Sequence, residues 1–373
     1  LYILRDKVDS LRSNRFKKLI SAVKEIEYIT SFSKLDIEFG INKSNKIFIF
    51  QVRPLVIKNA IDRKTSNIIY DRINKLEKNY ISINKNKKYG NSNLFGVMPD
   101  WNPAEIIGIL PKPLSKTFYR EIITNKIWAI SRKNLGYKNL TETNLMEDFA
   151  SHPYINTNLS FYSFLPNKLS AITSKKIINF WINDLIRNNY KHDKIEFEIC
   201  DTCFNFSTDK NLKRFKGVLT KAEIQNYRDE LLKLTTNILK SNSKLIKNSL
   251  NDLDKLEFSR KKFNLKKKKN FDDIYQLIND IKQYGTLNFA NLARLAFISE
   301  SFLRSLVFKK VIKLERLNSF KNSINTVLTN FVNDTNKLLQ KKSSWRKFSE
   351  IYGHLRSGTY DIESNRYDKS NYF

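Results

Sequence analysis

Two short runs of alternating residues, separated by a polar turn, constrain this chain more than any other feature. In the first, Leu35, Ile37, Phe39 and Ile41 alternate with Asp36, Glu38 and Gly40; in the second, Phe48, Phe50 and Val52 alternate with Ile47, Ile49, Gln51 and Arg53. A strand sends successive side chains to opposite faces, so period-two alternation marks a strand whose two faces differ. Asn42-Lys43-Ser44-Asn45 has the length and chemistry of a hairpin turn, and Pro54, which has no N–H for a ladder, closes the second strand. The expectation is a β-hairpin with Asp36 and Glu38 on one face of the first strand and Gln51 and Arg53 on one face of the second. Paired on the same side, they would display carboxylate, amide and guanidinium together. Such a set suits nucleotide phosphates, because Mg²⁺ bridging phosphates takes one or two protein carboxylates and arginine grips phosphate oxygens in pairs. The same pattern also describes an antiparallel pair with one solvated polar face.

The rest of the chain reads mainly as helix. Leu11, Phe16, Leu19, Ile20, Val23, Ile26 and Ile29 recur near the 3.6-residue period. Residues 58–92 are polar and lysine-rich, a linker with a short helix around Ile68 to Leu76. Gly96, Pro99, Pro103, Gly108, Pro111 and Pro113 then punctuate an ordered irregular loop. Helical periodicity dominates Ser115 to Lys133, Ser174 to Tyr190, Lys221 to Leu250, Phe271 to Tyr284, Phe289 to Leu317 and Phe320 to Leu339, and only Lys194 to Phe206 interrupts it, as a hairpin or paired strand. The expected class is α+β: a helix plus hairpin in residues 1–57, a linker over 58–92, and a mostly helical domain over 93–373.

With 373 residues and 41% hydrophobic side chains, the chain can bury the cores of two ordinary domains. No stretch approaches the ~20 apolar residues of a membrane-spanning helix, so a soluble, cytoplasmic protein with no membrane partner is expected. With Leu1 first and no leader pattern, the sequence reads as starting inside a longer protein. A net charge of +30 raises the question of a polyanionic partner, but the excess is lysine spread among Asn and Ile, as an AT-rich coding genome imposes on any protein. The densest run, Lys266 to Lys269 between Phe263 and Phe271, comes without any RNP, zinc-finger or helix-turn-helix signature, and nucleic acid is not the expected partner. Cys200 and Cys203 are too few for a structural zinc site, and Phe204 to Phe206 continue an extended pattern where a thioredoxin-like pair needs a helix.

Leu35-Asp36-Ile37-Glu38-Phe39, followed by Ile49-Phe50-Gln51-Val52-Arg53-Pro54-Leu55, resembles the last strands of the ATP-grasp domain in the pyruvate phosphate dikinase and phosphoenolpyruvate synthase family. Tyr352-Gly353-His354-Leu355-Arg356-Ser357-Gly358-Thr359-Tyr360-Asp361-Ile362, with Arg366-Tyr367-Asp368 after it, resembles a segment shortly before the swivelling histidine domain of such enzymes. It departs from that pattern by inserting Leu355 and by placing Thr359-Tyr360 where an acidic residue is common. Asp100-Trp101-Asn102-Pro103-Ala104-Glu105-Ile106-Ile107-Gly108 looks like a motif of a less characterised subgroup.

The resemblance implies an ATP-dependent phosphotransferase that phosphorylates a carrier histidine and passes the phosphoryl group to a small-molecule acceptor. Its cofactors would be ATP and Mg²⁺, with Glu38 and Gln51 at the metal, Glu38, Gln51 and Arg53 lining the nucleotide, and Arg53 the catalytic phosphate contact. Asp36 matches the pattern without a defined role. The glycine-rich phosphate loop would lie upstream of Leu1 and the swivelling phosphohistidine domain beyond the last residue, so these residues alone are expected to be inactive. His354 lacks the Ser/Thr-His context of a phosphocarrier and, with Arg356, is a candidate for a substrate pocket. His152 could join Arg132 and Tyr154 in a similar role, against the plainer reading of a packed loop histidine. The competing classes are a basic helical module that binds nucleic acid, and a catalytically inactive scaffold that keeps the grasp fold.

Overall fold

The computed structural model describes residues 13–42, 44–54, 63–85, 89–356 and 365–369; Leu11, Leu55 and the stretch from Ser357 to Ile362 lie outside them. The architecture is α+β, mostly helical, with two small sheets. Among the described residues no helix is long and apolar enough to cross a membrane. The chain divides into two compact units, residues 1–75 and 76–373.

The first unit holds α1 (Asn14–Thr30), β1 (Leu35–Ile41), β2 (Ile47–Pro54) and the start of α2 (Arg63–Lys85). α2 is far longer than the short helix expected in a linker. α1 ends where Ser31 turns left-handed at φ 57°, with Thr30 Oγ1 donating back to the Ile26 carbonyl at 2.7 Å. β1 and β2 form the antiparallel hairpin. Its turn is built by Asn42, whose Oδ1 accepts from the backbone N–H of Ser44 at 3.0 Å and of Lys46 at 2.9 Å; this is the local bonding that favours Asn in turns. The register runs Asp36↔Arg53, Ile37↔Val52, Glu38↔Gln51, then slips so that Phe39 opposes Ile49. Phe50 is the extra residue of this β-bulge, and a Cβ on Gly40 would meet its ring at 2.8 Å. None of the described residues 13–53 is buried.

The second unit begins in α2 and carries β3 (Phe95–Gly96), α3 (Pro103–Ile106), α4 (Pro113–Tyr119), α5 (Ile127–Asn134), β4 (Met146–Phe149), β5 (His152–Asn156), α6 (Thr157–Ser163) and α7 (Ala171–Arg187). After these come α8 (Ile195–Glu198), α9 (Thr208–Asn211), α10 (Lys221–Leu265), α11 (Phe271–Asp280), α12 (Leu287–Phe308), α13 (Leu314–Ser323), α14 (Val327–Leu339) and α15 (Trp345–Tyr352). The main core gathers Phe161, Phe164, Trp181, Phe215, Tyr227 and Leu231, all fully buried. Each such side chain contributes ~1.5–3 kcal/mol when removed from water. On α7 the buried Ile177, Ile178, Trp181, Ile182 and Leu185 make one helical stripe, started by Ser170, whose Oγ accepts from Thr173 N at 3.0 Å. α10 starts with a capping box, Glu223 N donating to Thr220 Oγ1 at 3.2 Å and Thr220 N to Glu223 Oε2 at 2.8 Å.

Several elements differ from the sequence reading. Lys194 to Phe206 is not a hairpin: Ile199 N and Cys200 N both donate to the Ile195 carbonyl, and a loop follows α8. The reason is burial, since Ile195, Ile199, Cys200 and Cys203 enter the core at helix-like spacing. The strands instead lie earlier, in an antiparallel sheet of order β3-β5-β4 whose tight turn puts Ala150 at φ 55° and Ser151 at φ 68°. Phe289 to Leu317 breaks after Phe308, where Lys310 is left-handed at φ 59°. Phe320 to Leu339 breaks where Thr326 caps α14. α10 runs on to Leu265, although past Ile238 only Ser249 is buried. Two π turns, Arg120–Thr124 after α4 and Ile281–Thr286 between α11 and α12, pack on each other, with Lys282 Nζ 2.6 Å from Glu121 Oε1.

Candidate functional site

The hairpin brings four of the residues singled out in the sequence onto one face. Asp36 and Arg53 are directly opposite, Glu38 and Gln51 form the next pair on that side, and the bulge begins immediately beyond them. Arg53 Nε donates to Asp36 Oδ2 at 2.6 Å, and its Nη2 is 3.9 Å from Glu38 Oε1. The hydrogen bond to Asp36, reinforced by its charge, raises the Arg53 pKa above its ordinary value. All three charged side chains remain open to water, at 56% for Arg53, 40% for Asp36 and 57% for Glu38. Exposed pairs of this kind add little to stability, so the face is free to serve a ligand. Its donor set fits a hard divalent cation that keeps phosphate oxygens and water as most of its ligands, with the Glu38 carboxylate and the Gln51 amide oxygen as protein ligands.

The C-terminal candidates are placed differently. His354 is exposed just past α15, and Arg356 forms an isolated bridge with Arg366, whose guanidinium meets Asp368 at 3.0 and 2.5 Å. Nearby, Tyr352 donates to Asp334 Oδ2 at 3.0 Å and Phe331 packs on Phe348 and Tyr352. His152 pairs with Phe149 across β4 and β5, and the Tyr154 ring lies on Phe149 at 5.7 Å. Arg132 is committed elsewhere.

That other place is a cavity of about 540 Å³ inside the second unit, lined by the Asp100-Trp101-Asn102 segment, α5, α8 and α12. Arg132 Nη2 donates to the Asp100 carboxylate at 2.8 Å, Ser160 Oγ donates to Asp100 Oδ2 at 2.7 Å, and Arg132 Nη1 reaches Ser163. Across the cavity Arg294 Nη1 donates to Glu196. Both guanidinium groups lie over the Phe164 ring, at 4.2 Å for Arg132 and 4.9 Å for Arg294. Burial alone would lower the Arg294 pKa, but the opposing Glu196 charge leaves it raised, so the guanidinium stays charged. The segment is held in an unusual backbone: Trp101 and Asn102 have φ of 49° and 25°. Tyr119 donates to the Trp101 carbonyl at 2.5 Å, and Asn102 Oδ1 caps α3 by accepting from Glu105 N at 3.2 Å.

Arg294 and Glu196 were not singled out by the sequence reading. They stand 98 positions apart, and only the fold pairs them. Cys200 and Cys203 are free and buried, and burial holds both thiols above their usual range, which disfavours the thiolate. Among the described residues no group of three or more His, Cys, Asp or Glu could hold a metal by itself.

No family model, curated protein or solved structure matches this chain.

Proposed function

We propose that this chain is part of an ATP-dependent phosphotransferase of the pyruvate phosphate dikinase and phosphoenolpyruvate synthase type, with the β1–β2 hairpin as one edge of its ATP-grasp nucleotide site. The observation that carries the reading is the pairing of Asp36 with Arg53 and Glu38 with Gln51 on one exposed face. It is supported by the order of the same residues in the motif that resembles this family.

In this reading the hairpin does no acid–base chemistry. Asp36 holds Nε of Arg53 and so fixes the guanidinium plane, leaving the Nη groups to meet phosphate oxygens in a forked contact. Glu38 and Gln51 would hold Mg²⁺, which supplies charge neutralisation on the phosphates when bound. The contribution of these side chains is alignment and electrostatic stabilisation of charge spread over the transferred group. A histidine on a separate swivelling domain of the intact protein would receive the phosphoryl group and hand it to a small-molecule acceptor. Such an enzyme draws on cytoplasmic ATP.

The test is incubation of the full-length protein with Mg²⁺ and ATP labelled in its β- and γ-phosphates. Acid-labile, base-stable label on the protein is the expected result. Its absence, with no nucleotide binding, would remove the reading.

A further inference from the structure

We infer that the turn joining α10 to α11 is a docking surface for an anionic phospholipid bilayer, with Phe258, Leu265, Phe271 and Tyr275 entering the headgroup–acyl boundary and the neighbouring lysines meeting the negative headgroups. This contact is independent of the phosphotransferase reading. It lies on the surface of the bilayer and needs no spanning helix, and it departs from the expectation of no membrane partner.

The helix after the turn faces outward with the side that ordinarily packs. Phe271, Ile274, Tyr275 and Ile278 recur at i, i+3, i+4 and i+7 and make one apolar stripe of α11. A stripe of this kind normally turns toward a core. Here the opposite side of α11 packs instead: Asp280, about 180° around the helix from Phe271 at 100° per residue, is buried and accepts from Ser259 of α10 and from Gln276 Nε2, the latter at 2.9 Å. The stripe is left in water, with Phe271 at 89% exposure, Tyr275 at 69% and Ile274 at 46%. On α10, Phe258 and Leu265 lie about two turns apart on one side and are 70% and 83% exposed. Large apolar side chains gathered around one turn mark an interaction surface, whereas scattered ones do not.

The charge around the turn selects the partner. Residues 257–273 carry Arg260, Lys261, Lys262 and Lys266 to Lys269 against Glu257, Asp272 and Asp273, seven bases to three acids and a net charge of +4. Glu257 holds Arg260 and Lys261, and Asp273 holds Lys266, while Lys262, Lys267 and Lys268 have no carboxylate partner among the described residues. A second copy of the chain would set like charge against like charge. A protein partner is disfavoured by the lysines themselves, which are depleted from protein–protein interfaces. Single-stranded nucleic acid takes up aromatic rings by stacking, but Leu265 and Ile274 have no ring to stack. A bilayer containing negative lipid accepts all three kinds of side chain. Aromatic and aliphatic groups enter its interface, and lysine stems lie along it with their ammonium groups at the headgroups.

The experiment is co-sedimentation of the whole chain with vesicles of phosphatidylcholine alone or with about one-third phosphatidylserine, at low salt and at about 0.5 M salt. The mixed vesicles should bind the chain at least ~10-fold more tightly than the neutral ones, and the high salt should weaken that binding. Leu265→Ser with Phe271→Ser keeps every charge and should cut binding to mixed vesicles by ~10-fold or more. Lys267→Gln with Lys268→Gln keeps the apolar groups and should cut it several-fold. All four side chains are exposed, so both variants should fold, which circular dichroism checks. The inference is overturned if neutral and anionic vesicles bind alike, if neither binds, or if the serine variant binds mixed vesicles as wild type does. That last result would leave a purely electrostatic patch of the kind that nucleic acid uses.

Discussion

Arg53 donates its Nε to Asp36 at 2.6 Å from the directly opposite position of the hairpin, and the guanidinium is thereby oriented while both side chains stay in water. If the proposed phosphotransferase activity holds, Arg53→Ala and Glu38→Gln in the full-length protein should each slow single-turnover phosphorylation of the proposed carrier by about a hundredfold, or ~3 kcal/mol, through contacts that strengthen in the transition state. Stability should move by less than ~0.5 kcal/mol, because exposed pairs carry little. Rapid-quench labelling beside thermal melting checks both, and wild-type rates in the two variants would reduce this face to a solvated surface.

The Arg294–Glu196 pair should show the opposite pattern. Arg294→Met leaves the buried Glu196 carboxylate without its cation, and breaking a buried pair from one side costs about 3–5 kcal/mol. Adding Glu196→Gln removes the stranded charge and should recover most of the loss. Urea titrations of the single and double variants measure it; equal losses in both would show that packing, not charge, governs this position.

Cys200 and Cys203 should resist modification in the native protein, since burial favours the thiol over the reactive thiolate at both. Ellman's reagent should react at least ~100-fold faster after denaturation in guanidinium chloride. Replacing both with Ala should release no zinc. Fast native labelling, or stoichiometric metal lost on substitution, would give the pair a redox or metal-binding role.

Glu223 links stability to pH. Its hydrogen bond from Lys176, aided by the Thr220 cap, lowers its pKa to about 2 in the folded chain, against about 4.3 unfolded. A depressed carboxylate stabilises above its unfolded pKa, and that contribution is lost as pH falls from the unfolded toward the folded value. Glu223→Gln should therefore melt below wild type at pH 6, and the gap should close toward pH 2. A gap independent of pH would assign the effect to geometry rather than charge.

The hairpin was legible in the sequence because every local signal agreed: alternation, an Asn-rich turn and a terminal proline. Its bulge was not, since one slipped residue leaves the alternation of each strand intact. The β4–β5 turn escaped because Ala150 and Ser151 hold positive φ without the Gly or Asn that advertises it. α8 was misread because Ile195, Phe197 and Ile199 alternate, while tertiary burial of Ile195 and Ile199 selects a helix. Asp100 and Trp101 stood out through a motif, yet the cavity they line depends on partners from α5, α8 and α12, which no local pattern brings together.

The π turn at Ile281–Thr286 determines which way α12 faces. A π turn accommodates one more residue than an α turn, and each residue of an α-helix advances the side-chain direction by about 100°. Everything downstream is therefore out of phase with an uninterrupted helix continued from α11. Arg294 meets Glu196 from that offset phase. Deleting any single residue between 281 and 286 would rewind the helix by one step and swing Arg294 off its carboxylate. The angular setting of the cavity's cation is thus stored about two turns before the residue that displays it.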